Sequence, residues 1–255
     1  MIKFFRKIRK RLLTENKFSK YLIYAIGEII LVVIGILIAL SINNWNEKLK
    51  VEQIEQKLLK SLKKEITMNI KHFDEIIKYH KDSKTMCVSL LKQFGKSMRK
   101  TDYIVLDSLV ELATAPINLN PQLGVVKSII TTGDIKYLKN ELIVQFITMF
   151  EDKINDPQDN FNRLIRIWNS QLWPRENLYI RRVNRANKNN EWLGVDIPQR
   201  SINSDYDSFF NDIVLENTYM LTLYEQTEII KNEESLLNQM KSVIELINSE
   251  IRNSN

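Results

Sequence analysis

The 255-residue sequence predicts an all-α protein, with one N-terminal transmembrane helix followed by an antiparallel helical bundle outside the cytoplasm. Three observations predict it. An unbroken apolar run from Tyr21 to Ile42 carries a single charge, Glu28. Apolar side chains recur at helical spacing through most of the remaining chain, and no segment keeps up the period-two alternation of a strand. With 44% hydrophobic and 27% charged residues, six Gly, five Pro and one Cys, the composition is that of a folded protein and not of a disordered, collagen-like or disulfide-stapled one.

The apolar run reads YLIYAIGEIILVVIGILIALSI, long enough at about 1.5 Å per residue to cross a hydrocarbon core of about 30 Å. Tyr21 and Tyr24 mark one edge and Trp45 the other, where amphipathic rings prefer the headgroup level. Residues 1–20 hold eight Lys/Arg against Glu15, a charge of +7, so the other 235 residues carry −1 of the total of +6. Confined to a leader, this charge does not suit nucleic acid, whose binders spread it over a folded face. It suits the positive-inside rule: 1–20 a basic cytoplasmic leader, 21–43 the span, 44–255 an extracytoplasmic domain. Lys48, Lys50, Lys57, Lys60, Lys63 and Lys64 temper the asymmetry, offset in part by Glu47, Glu52, Glu55 and Glu65. Ala39-Leu40-Ser41 has the small-x-small look of a signal-peptide cleavage site, but the apolar run is longer than the usual h-region of about 7–15 residues.

In the body, Trp45, Leu49, Ile54, Leu58, Leu62, Ile66, Ile70, Phe73 and Ile77, then Leu91, Phe94 and Met98, mark a long helix over 45–98. Its stripe is wider than a heptad seam, which favours a globular bundle over a coiled coil. The pattern thins at Lys81–Thr85, where a kink or break is expected. Shorter helices fill 102–173. Asn120-Pro121 and Asp156-Pro157 each read as an N-cap before a proline at the first helical position. Gly133-Asp134 closes one helix near Thr132 and opens another running to about Lys153 through Leu138, Leu142, Phe146 and Met149. Pro174 is expected to end the following helix, and 174–203 to be an irregular connection. From Ser204, with Asp207 as capping partner, a last helix runs to 252, showing Ile230, Leu237, Ile244 and Ile251 at sevens.

The chemistry on offer is sparse. Gly95, Gly124, Gly133 and Gly194 stand singly, so no phosphate-cradling loop, dinucleotide fingerprint or nucleophile elbow can be assembled. His72, Glu75, His80 and Cys87 could line one helix face, yet two His and one Cys are too few for a closed zinc site. No metal or cofactor is expected, and Cys87 reads as a small buried apolar residue. Trp173, Arg175, Arg181, Arg182, Arg185, Lys188, Trp192 and Arg200, with Tyr179, form a basic and aromatic cluster. It could contact lipid headgroups or envelope glycans through Arg175, Arg181, Arg182, Arg185, Trp173 and Trp192, or pair internally with Glu176, Glu191 and Asp196. Glu28 shares a helix face with Tyr24, Val32, Gly35 and Ala39. That face reads either as a lateral association surface, with Gly35 and Ala39 admitting a second helix and Glu28 as its polar contact, or as a tolerated carboxyl that snorkels.

Phe4 to Glu47, FRKIRKRLLTENKFSKYLIYAIGEIILVVIGILIALSINNWNE, resembles the N-terminal signature of an uncharacterised family of small single-span bacterial membrane proteins, with Ser41 where that family more often has Gln. Val126 to Asn140, VKSIITTGDIKYLKN, is similar to its second recognisable stretch. The resemblance implies a bacterial inner-membrane location and an all-helical extracytoplasmic part, and no activity. The expectation is therefore a non-enzymatic interaction, scaffold or sensory module, held in the bilayer and meeting a second copy or another membrane protein through its span. An oligomerising membrane-acting effector is the alternative from another class, and an envelope hydrolase with carboxylates drawn from several helices is a weaker one.

Overall fold

The computed structural model describes residues 18–97, 103–114, 117–183, 194 and 203–252. Most of those residues are helical, with no strand among them. The chain divides into two compact units, residues 1–57 and 58–255.

The described residues of the first unit are the leading part of α1, which spans Phe18–Leu91. It contains a helix long and apolar enough to cross a membrane. Its apolar side chains point outward all round: Ile23 is 69% exposed, Ile29 64% and Trp45 64%. Such a surface is unfavourable in water at about 25 cal/mol per Å² of apolar area, and neutral in lipid.

The second unit is built on three long helical stretches: the end of α1, α4 (Glu141–Ile167) and α7 (Ile213–Arg252). Shorter elements fill in around them: α2 (Tyr103–Ala113), α3 (Gly124–Thr132), a 3₁₀ turn at Asp134–Tyr137, a π-turn at Trp168–Leu172, α5 (Trp173–Glu176) and α6 (Tyr206–Phe210). Contacts fix the directions. His80, Ser83 and Cys87 of α1 meet Glu233, Gln226 and Tyr219 of α7 in descending order, so those helices are antiparallel. The same holds for α4 and α7, where Lys153 meets Gln239 and Arg163 meets Glu225. The bundle is thus antiparallel about α7, while α1 and α4 share a direction.

Several expected boundaries move. No break interrupts α1 at 43–45 or at Lys81–Thr85, and it ends at Leu91, before the boundary drawn at 98. The positions after Ile77 that look polar in the sequence are still buried, at His80, Ser83 and Cys87, so the stripe continues in different chemistry. Pro157 does not open a helix: it lies inside α4. A proline there removes one backbone bond and costs about 3 kcal/mol, which is offset by the apolar face that α4 buries on both sides, from Ile143, Phe146 and Phe150 to Leu164. Pro121 lies in the connection before α3, and α4 starts at Asn140, whose side chain accepts from the amides of Leu142 (3.1 Å) and Ile143 (3.3 Å). Gly133 does close α3, with φ +73° and its N–H on the Ile130 carbonyl, a left-handed cap that favours glycine. Asp134 opens only the 3₁₀ turn. Pro174 sits in the first turn of α5, where its missing donor is not needed, so the helical path continues past it. The last helix is two: Asp205 caps α6 through Ser208 N–H (3.0 Å), and Asp212 caps α7 through Val214 N–H (2.9 Å) and Leu215 N–H (3.3 Å).

Two apolar clusters form the core of this unit. One joins Leu62, Ile66 and Phe73 of α1 to Ile143 and Phe150 of α4 and Met240 and Ile247 of α7. The other joins Cys87 and Leu90 to Val110, Trp168, Tyr206, Phe209, Phe210 and Tyr219. Several of its aromatic rings pack edge to face, with Phe94–Phe210 at 5.2 Å and Phe209–Phe210 at 4.9 Å between centroids.

Candidate functional site: a polar layer, a carboxylate clamp and the apolar stretch

Between the two clusters lies a layer of buried polar side chains. His80 faces Glu233 through Nδ1 at 2.9 Å and the Ile117 carbonyl through Nε2 at 3.0 Å. One turn on, Ser83 Oγ donates to the Ala113 carbonyl at 3.2 Å. Gln226 Nε2 donates to both Ser83 Oγ and the Ala113 carbonyl at 3.0 Å. Trp168 Nε1 donates to Thr222 Oγ1 at 3.1 Å. The layer therefore ties the end of α2 and the connection behind it to the α1–α7 pair by directional bonds, where either apolar cluster alone would tolerate sliding. Burial alone would lower the His80 pKa, but the hydrogen bond and charge of Glu233, helped by the Ile117 carbonyl, outweigh it and raise the pKa above the ordinary 6.5.

A second arrangement anchors α3. Glu65 of α1 accepts from the amides of Val125 (2.6 Å) and Val126 (3.0 Å), so a carboxylate from another helix caps its N-terminus. One turn further, Asn69 exchanges a pair of bonds with the Gln122 backbone, both at 2.8 Å. The segment Val126–Asn140 thus begins at a site fixed by α1.

The arginine segment becomes a third cluster. The fully buried Glu176 accepts from Tyr219 Oη and from Arg182 at 3.1 Å, and the Arg182 guanidinium lies 5.9 Å from the Trp173 ring centre. Arg175 and Tyr179 both donate to Asp212. Burial would push the Asp212 carboxyl up, but Arg175, Tyr179 and the amides of Leu215 and Val214 hold it below the usual range. Arg181 is exposed, and its amide donates to Ser204 Oγ at 3.2 Å. Trp173, Arg175 and Arg182 are thus brought together, with two of the three arginines already facing carboxylates. Arg185, Lys188, Trp192 and Arg200, with Glu191 and Asp196, lie outside the described residues.

Of the metal-ligand candidates, His72 is half-buried, Glu75 exposed, and His80 is committed to Glu233 and Ile117. Cys87 is fully buried with its thiol pushed up to about 12 by burial, so it is an inert packing residue. Among the described residues no three metal-ligating side chains gather. In the first unit, α1 carries Glu28, Gly35 and Ala39 at helical spacing, and a Cβ at Gly35 would meet nothing within 4 Å.

Glu233, Gln226 and Asn69 do not stand out in the sequence, and Glu65 figures there only as a charge offsetting the lysines after the span. Glu233 had a signal: it stands three after Ile230 and four before Leu237, a polar residue where the α7 stripe calls for an apolar one.

These features define an all-α protein with a candidate membrane helix and a helical body whose buried polar groups hold helices together. Residues 28–173, more than half of the chain, match the profile of a family of unknown function, DUF6090, and the chain belongs to that family. The matched region holds His80, Ser83, Glu65 and Asn69, while Gln226 and Glu233 lie beyond it. No curated protein and no solved structure matches the chain.

Proposed function

We propose that this chain is a single-span protein of the bacterial inner membrane, with its N-terminus in the cytoplasm and a helical body outside it, acting as an interaction, scaffold or sensory module and not as an enzyme. The observation that carries the reading is the exposure of every large apolar side chain described between Leu22 and Ile42, beside a body that buries its own apolar stripes. Lipid is the solvent in which the first arrangement is stable. The orientation rests on the leader charge of +7. The non-enzymatic part is supported by how the buried ionisable groups are used: Glu65 caps a helix, Glu176 and Asp212 hold arginines, and His80 faces Glu233. A second copy or another membrane protein would meet the span on the Glu28, Gly35 and Ala39 face.

The test is a pair of reporters fused after Asn255 in the full chain, one active only in the cytoplasm and one only outside. Activity of the exported reporter alone, with the protein resisting alkaline extraction from membranes, is the expected result. Activity of the cytoplasmic reporter would reverse the topology, and extraction at alkaline pH would remove the span.

A further inference from the structure

The buried histidine of the polar layer carries an inference beyond anchoring. Both ring nitrogens of His80 face oxygen acceptors: a carboxylate oxygen of Glu233 at 2.9 Å and the carbonyl oxygen of Ile117 at 3.0 Å. A carbonyl can only accept, so Nε2 must carry a proton. With Glu233 ionised, Nδ1 must carry one too, and the ring is then an imidazolium. A neutral ring could serve only one of the two. It would keep the proton for the charged acceptor, the stronger partner, and turn a lone pair toward the Ile117 carbonyl. That carbonyl would lose its donor, and the buried Glu233 would lose its counter-charge.

We propose that His80 is a proton-operated pin: as imidazolium it fastens the Ile117 carbonyl, and with it the start of the connection before α3, to the α1–α7 pair, and on losing its proton it lets that connection go. The far end stays held, since Asn69 and Glu65 grip Gln122, Val125 and Val126 independently. Leu119 stays seated in the first apolar cluster, so release is local, a shift in the opening equilibrium over residues 117–121 rather than unfolding of the body.

The surroundings leave His80 as the group whose proton the pin turns on. The small cavity beside the ring is lined by Ser83 of α1, Phe161 and Leu164 of α4, Trp168 of the π-turn, and Gln226 and Ile229 of α7, none of which titrates near neutral pH. On α1 the adjacent Tyr79 ring sits edge-on at 6.2 Å; its own pKa is raised by burial and by Glu111 of α2, so it stays neutral. Lys81 and Glu234 pair with each other at 2.6 Å on the more exposed side. The sign follows from linkage. The folded ring has a pKa above the 6.5 of the unfolded chain, so its stabilising contribution is complete below about pH 6.5 and is lost as pH rises through the raised value. In that window a single proton changes the opening equilibrium by at most about tenfold per pH unit. With the body outside the cytoplasm, as proposed above, the pH of that compartment would set the pin. The device rests on that reading for its compartment alone, and its test does not.

The experiment uses the full chain in detergent micelles with ¹⁵N-labelled histidine in a His72→Asn background, which leaves His80 as the one labelled ring. At pH 6 both ring nitrogens should show protonated shifts, with the titration midpoint above 6.5. Glu233→Gln should move the midpoint down. Amide exchange at residues 118–120, corrected for its intrinsic pH dependence, should accelerate by up to about tenfold per pH unit through that midpoint in the parent, and His80→Gln should abolish this extra acceleration. A ring with bare Nδ1 at pH 6, which puts the proton on Glu233, would overturn the proposal. So would corrected exchange in the parent that ignores pH across the titration, a result that needs neither variant to fold.

Discussion

One continuous helix, α1, obeys opposite rules in its two parts. From Leu22 to Ile42 it is apolar on every face and its side chains are exposed, Ile23 by 69% and Leu37 by 56%. From Leu58 to Leu91 it is apolar along one stripe, and that stripe is buried, Leu62, Ile66 and Phe73 to 0% exposure. The difference lies in what surrounds the side chains. A helix that is apolar all round needs a solvent that is apolar all round, whereas a striped helix needs only neighbours. The contrast predicts that damage to one part leaves the other intact.

The largest effect belongs to the exposed part. Val33→Arg with Leu37→Arg should cost about 5–7 kcal/mol of membrane insertion, each arginine near the centre of a span costing about 2.5–3.5 kcal/mol. The doubly substituted protein should leave the membrane fraction, with the helical signal of the body retained by circular dichroism. Membrane retention of that variant would break the comparison.

Next comes the buried stripe. Phe73→Ala should destabilise the body by about 3–5 kcal/mol through lost burial and the cavity left behind, without changing membrane fractionation. Cys87 supplies the readout. As the chain's one thiol, buried and with its pKa pushed up to about 12, it should react with a maleimide at pH 7.5 only when the body opens. Faster labelling in Phe73→Ala than in the parent is expected, and equal rates would mean that Phe73 bears little of the packing.

How far the sequence reached follows the same divide. The apolar run and the stripe from Leu62 to Ile77 were legible because each repeats one signal over many residues, but Trp45, Leu49 and Ile54, counted in the same stripe, are exposed. The thinning at Lys81–Thr85 was not, because His80 and Ser83 hold stripe positions with polar side chains whose partners, Glu233 and Gln226, lie about 150 residues away. Spacing cannot tell a polar layer from a break until the partner helix is in place. Pro157 misled for a related reason: tertiary burial overrides a local helix signal. The Glu65 clamp was invisible since a helix cap is ordinarily sought in the residues just before the helix, and this one comes from 60 residues upstream. For the arginine cluster the internal pairing with Glu176 was foreseen, but not Asp212, which serves at once as cap and as ion-pair partner.

A smaller effect probes that clamp. Glu65→Ala removes the acceptor of the Val125 and Val126 amides and should cost about 0.5–2 kcal/mol, as helix caps do. The loss should be confined to residues 122–132, seen as faster amide exchange there with little change at Phe150 or Met240. Uniform acceleration across the body would show that α3 unfolds only with everything else.

The smallest effect lies on the exposed part of α1, where it asks whether that surface is merely lipid-facing or also meets protein. Gly35 and Ala39 are one turn apart, and a side chain at Gly35 has open space, so nothing in the chain itself demands a glycine there. If a second helix seats on that face, Gly35→Ile holds the two backbones apart, while Ile36→Leu, on a different face, does not. The cost should be on the order of 1 kcal/mol, read as about a fivefold drop in crosslinked dimer or captured partner from native membranes. Glu28→Gln should fall less than Glu28→Leu, because Gln keeps a hydrogen-bonding head and Leu keeps none. Equal crosslinking of the parent and all four variants would make the Leu22–Ile42 stretch a plain anchor, with Glu28 a tolerated carboxyl.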